Sequence, residues 1–131
     1  MNARFKAYWP AILWALFILV ICGVKLGGVS KAPMFFAGFD KLTHCGLFFV
    51  LAVLYCYGSI RKFKTRGLRI EIAIKNTIVL ISYGALIEVL QKYVFTWRSG
   101  EPADLFCDAL GACMGIFGVL VTSYALNNES I

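Results

Sequence analysis

Four apolar runs alternate with polar segments along the chain, at 8–28, 41–60, 72–95 and 103–126. Each has about the 20 residues that an α-helix needs to cross the hydrocarbon core of a bilayer. The pattern predicts an all-α polytopic integral membrane protein, residues 1–131 forming a single four-helix transmembrane domain. In the first run Tyr8 and Trp9 read as interfacial anchors, and Pro10 as a first-turn proline whose missing N–H costs little. That run has full spanning length and no small-residue cleavage site after it, so a retained helix is expected rather than a cleaved signal peptide. Gly27 to Pro33 reads as a loop, and Met34-Phe35-Phe36 as a patch dipping into the interface. Asp40 stands where the second helix needs an N-cap.

Composition agrees: 60% of the 131 residues are hydrophobic, more apolar surface than a chain of this length can hide from water. The net charge of +6 sits between the apolar runs, not on one helix face, and no aromatic–basic motif accompanies it, which excludes a nucleic-acid footprint. Eight of the 13 Lys and Arg residues (Arg4, Lys6, Arg61, Lys62, Lys64, Arg66, Arg69 and Lys75) fall on the side of the N-terminus and the central loop. By the positive-inside rule both termini are then cytoplasmic, and the expected location is the bacterial cytoplasmic (inner) membrane. The five cysteines all lie inside apolar runs without C-x-x-C spacing and read as small hydrophobes. Cys45 and Cys107, both near the outward ends of their helices, are the pair for which a disulfide is chemically conceivable.

That orientation gathers the strongly polar residues of the spans on the outer side: Asp40, Lys41 and His44 on the second helix, Glu88 and Gln91 on the third, Arg98 in the hairpin, Asp104 and Asp108 on the fourth. Spacings of three and four place each set on one helix face. A carboxylate facing lipid costs about 2.5–3.5 kcal/mol even on the lenient insertion scale, so the stripes are expected to turn inward and line a polar pocket. His44 is the sole histidine, a candidate acid/base with Glu88 and Asp108 as candidate catalytic partners. Asp40, Lys41, Gln91, Arg98 and Asp104 are candidate ligand-binding residues. Each has a structural alternative: an interhelical hydrogen bond for His44, a register-fixing ion pair for Glu88, a first-turn acid for Asp104. No cofactor is called for, and no ligand signature such as H-E-x-x-H marks a metal site. Ser99 and Thr43 carry no sign of activation, and Tyr93 and Trp97 read as interfacial aromatics. Gly111 and Gly115 form a G-x-x-x-G on the face of Asp108, suited to close packing inside the bundle or, alternatively, to homodimerisation.

Asp40-Lys41-x-x-His44, Glu88-x-x-Gln91, Arg98 and Asp104-x-x-x-Asp108-x-x-Gly111-x-x-x-Gly115, in that order, resemble the VanZ-like family of small bacterial membrane proteins, named for an accessory factor in teicoplanin resistance. The resemblance covers roughly the last two-thirds of the chain, and departs at Asp108, where the family usually has Asn. It implies a four-helix protein of the cell envelope, linked to glycopeptide susceptibility. The reading that follows is an extracytoplasmic pocket for a polar headgroup or cell-wall precursor at the outer leaflet, with Arg98 and Lys41 as anion contacts. The rivals are a membrane hydrolase or transferase acting on a lipid-linked or glycan substrate, and a structural subunit of an envelope complex. The expected partners are the lipid bilayer, that outer-leaflet ligand, and a second copy or another membrane protein.

Overall fold

The computed structural model describes residues 2–23, 39–94 and 102–129, the side chains of Phe39, Asp40 and Glu129 excepted. Four helices make up this part: α1 (Ala3–Gly23), α2 (Phe39–Phe63), α3 (Ile70–Tyr93) and α4 (Pro102–Glu129). All four are long and apolar enough to cross a membrane, and no strand occurs among the described residues. Large apolar side chains such as Phe17, Ile78, Leu86, Phe106 and Phe117 stand exposed on the outside of the bundle. Contiguous apolar surface of this kind has lipid as its solvent, and the chain is a multi-pass membrane protein. The loop at 27–36, Trp97, Arg98, Ser99 and the rest of the segment before Pro102 lie outside the described residues, as does the side chain of Asp40.

The helices overrun the apolar runs. α1 starts at Ala3, so Pro10 lies in its interior and not in the first turn. The good helix formers Ala3, Arg4, Lys6 and Ala7 add two turns ahead of it, and proline deprives the Lys6 carbonyl of its usual partner. α2 starts at Phe39, which makes Asp40 a first-turn residue and not the N-cap. It continues through Arg61 and Lys62, whose charges complement the negative end of the helix. It ends at Phe63, followed by Lys64, the one non-glycine residue with positive φ (52°) among those described, and the Thr65 N–H reaches back to the Ile60 carbonyl at 3.2 Å. That six-to-one bond is a Schellman closure with lysine at the position glycine usually fills. α3 opens with Glu71 in its first turn, and α4 with Pro102 followed by Asp104. Both arrangements suit a helix N-terminus.

α2 touches every other helix, whereas α1 and α4 make no contact among the described residues. Phe48, Leu51, Ala52 and Cys56 of α2 therefore lie in the core, with Ile18 and Cys22 of α1, Leu80 and Ile87 of α3, and Ala112 and Ile116 of α4. Close approach is local and set by glycine. A Cβ at Gly111 would collide with the Cys45 carbonyl oxygen, and one at Gly115 would fall 2.7 Å from that of Phe49. The G-x-x-x-G pair thus packs α4 on α2 inside the bundle. On the other flank of α2, Gly58 admits α1, where a Cβ would meet the Tyr8 ring at 2.6 Å.

Side chains stitch the helices through backbone carbonyls. The Trp14 indole donates to the Leu47 carbonyl at 2.9 Å, and the Tyr83 hydroxyl to that of Ala15 at 2.5 Å. Thr77, Ser82 and Thr122 donate to carbonyls one turn back in their own helices, so these hydroxyls need no water.

Candidate functional site

At one end of the bundle α2 and α4 begin while α1 and α3 finish, and here Lys41, His44, Glu88, Asp104 and Asp108 lie. Gly111 draws α4 onto α2 one turn from Asp108 and brings the Asp108 carboxylate to His44: Nδ1 and Oδ1 are 2.9 Å apart. Both side chains are buried, at 2% and 0% exposure, so neither is available to water. A carboxylate can only accept, so an ionised Asp108 fixes the imidazole proton on Nδ1 and makes Nε2 the acceptor of the neutral ring. α3 closes in from the other side at Gly84, where a Cβ would come within 3.3 Å of Asp108 Cβ and Oδ2. Three helices therefore meet at one carboxylate.

Asp104, one turn earlier on α4, is also buried. Lys41 in the first turn of α2 is half-buried, and both lie within electrostatic reach of Cys107, together with Cys45 and Asp108. Cys45 and Cys107 are free thiols, as are the other three cysteines. Glu88 is half-buried and lines an open cleft of about 240 Å³ with Lys92 of α3 and Pro102 and Leu105 of α4. Gln91 is fully buried and its Nε2 donates to the Cys22 carbonyl of α1 at 3.2 Å. Its Oε1 is buried without a hydrogen-bond partner among the described residues. The amide thus ties α3 to the end of α1 and keeps one acceptor unsatisfied. No group of three or more His, Cys, Asp and Glu suited to a metal ion occurs among the described residues.

A second buried polar cluster, at the opposite end, does not stand out in the sequence. Ser59 donates to the Tyr55 carbonyl at 3.2 Å. Its oxygen in turn accepts from the Tyr8 hydroxyl and from Asn76 Nδ2, both at 3.1 Å. Asn76 Nδ2 also lies 3.5 Å from Cys56 Sγ. The cluster joins α1, α2 and α3, so the other end of the bundle holds buried polar groups as well, contrary to the expectation that embedded polar groups share one end. The signals were an asparagine inside an apolar run and a serine three residues after Cys56. Gly84 was similarly inconspicuous, although it stands four residues before Glu88 on the same face.

No protein-family model matches the chain, and searches of curated proteins and of solved structures likewise return no match.

Proposed function

We propose that the chain is a VanZ-like protein of the bacterial inner membrane, its His44–Asp108 end facing outward to receive a polar headgroup or cell-wall precursor. The observation that supports this is the convergence of His44, Asp104 and Asp108, all buried, with Lys41 beside them at one end of the spans. Lipid-facing accidents would be scattered in depth, whereas a cluster at one membrane surface suits a ligand that is polar at its head and apolar below. Lys41 and Arg98 are the anion contacts in this reading, Gln91 offers a buried acceptor, and a link to teicoplanin susceptibility follows by analogy with the family. The test is titration of the purified protein with a lipid-linked disaccharide pyrophosphate and, separately, phosphatidylglycerol and phosphatidylethanolamine. The Lys41→Gln/Arg98→Gln double variant should lose at least tenfold in affinity while its melting temperature stays within a few degrees. Unchanged affinity would sink the proposal.

One observation favours a second reading. With Asp108 ionised, the 2.9 Å contact at Nδ1 leaves Nε2 as the nitrogen that takes a proton, as a general base requires. In a hydrolase or transferase of this design Asp108 positions and His44 transfers. Turnover of the lipid-linked probe, lost in His44→Gln with folding retained, would favour that reading over simple binding.

A further inference from the structure

We propose that the groove between the start of α1 and the end of α2 is a headgroup site for an anionic phospholipid. It lies at the other end of the bundle from His44 and is independent of the function proposed above. The groove holds about 390 Å³, and Arg4, Lys6, Arg61, Lys62 and Lys64 line it with no acidic residue among them.

The backbone builds this groove. Gly58 lets α1 close on α2 at Ala7 and Tyr8, and the groove lies between residues 3–7 of α1 and residues 61–64. Lys64, at φ 52°, turns the chain back under the Thr65–Ile60 bond and stays on the groove wall. The Lys62 ammonium lies 5.8 Å from the Tyr8 ring centroid and 4.8 Å from that of Phe63, an aromatic floor beneath a cation. Arg61 and Lys62 also serve the negative end of α2, but Arg4, Lys6 and Lys64 have no such purpose. The nearby acid Glu71, in the first turn of α3, is exposed and paired with Arg69 at 3.0 Å, outside the groove. Five like charges thus share one concavity into which the N-terminus of α1 adds its own positive end.

Location selects lipid over a soluble anion. The membrane-crossing portions of α1 and α2 start and end at the groove, at Ala3 and Phe63. Phe63 stands exposed on the groove wall, apolar surface for the chains below a phosphate. Basic clefts between helices at a membrane surface hold acidic headgroups by this combination of charge and depth.

The experiment uses the purified full chain in neutral detergent, with phosphatidylglycerol, phosphatidylcholine and inorganic phosphate as separate probes. Retained lipid is counted by native mass spectrometry and thermal stabilisation is followed in parallel. Wild type should prefer phosphatidylglycerol over phosphatidylcholine at least tenfold. Arg4→Gln/Lys6→Gln/Lys62→Gln should abolish that preference, whereas Arg66→Gln/Arg69→Gln/Lys75→Gln, an equal change in charge outside the groove, should keep it. Equal losses in the two triple variants would reduce the effect to diffuse attraction and overturn the proposal, as would displacement of the lipid by equimolar phosphate. Should the first triple variant fail to fold, Lys64→Gly serves in its place, because glycine suits the left-handed backbone. It should weaken phosphatidylglycerol binding by threefold or more, and unaltered binding would again overturn the site.

Discussion

Two buried polar knots hold this bundle, and they are built from different chemistry. Tyr8, Ser59 and Asn76 form a neutral, branched network in which several weak hydrogen bonds share one serine oxygen and bind α1, α2 and α3. His44 and Asp108 form a short bond between two titratable groups, and it joins α2 to α4. Neutral groups enter a low-dielectric interior for the cost of one hydrogen bond each, which the network returns. A carboxylate costs far more, and removing its partner leaves that cost standing. Helix association is thus served by the neutral network, whereas the His44–Asp108 contact brings two titratable groups into the interior.

The sharpest way to break the comparison is to remove one member of each knot. Asp108→Ala should destabilise by about 3–5 kcal/mol where the pair is charged, whereas Asp108→Asn, which keeps an acceptor for the imidazole, should cost about 1 kcal/mol. Equal losses for the two variants in denaturant titrations would show that the site needs a charge rather than an acceptor. Next in size are the glycine seams that hold each knot closed. Gly111→Ala would push a methyl into the Cys45 carbonyl and should cost about 3 kcal/mol, while Gly118→Ala, with nothing within 4 Å, should be near neutral. Thermal melts of the two would test whether the α2–α4 seam is as tight as it is drawn. The smallest effects belong to the neutral network. Asn76→Leu should cost about 1–2 kcal/mol and Tyr8→Phe about 0.6 kcal/mol, in the range of interhelical hydrogen bonds measured in membranes. An Asn76→Leu loss as large as that of Asp108→Ala would erase the distinction.

The sequence reveals the two knots unequally. Four spans were legible because lipid demands unbroken apolar runs, but their ends were not. Arg4, Lys6, Arg61 and Lys62 continue the helices into the polar interface, where apolar periodicity carries no signal. His44 and Asp108 were legible as sharing an end, since charges in greasy sequence attract notice. Their pairing was legible only as one of two alternatives, with Glu88 the other, because the choice spans 64 residues and depends on Gly111 and Gly84 as much as on either side chain. Gln91 shares a helix face with Glu88 in the sequence, yet its amide donates to Cys22 across the gap to α1. Ser59 and Tyr8 are ordinary in apolar helices, and only three-dimensional proximity makes a network of them.

The chain separation in the charged pair also imposes an order on biosynthesis. The neutral network is complete once α3 has joined α1 and α2, so the first 94 residues contain every group it needs. His44 is inserted with α2 but gains its carboxylate only when the last helix arrives. Until α4 docks along Gly111 and Gly115, the nascent protein carries an imidazole in the bilayer without its Asp108 partner, so a chain halted before the fourth span is marked by that side chain as unfinished.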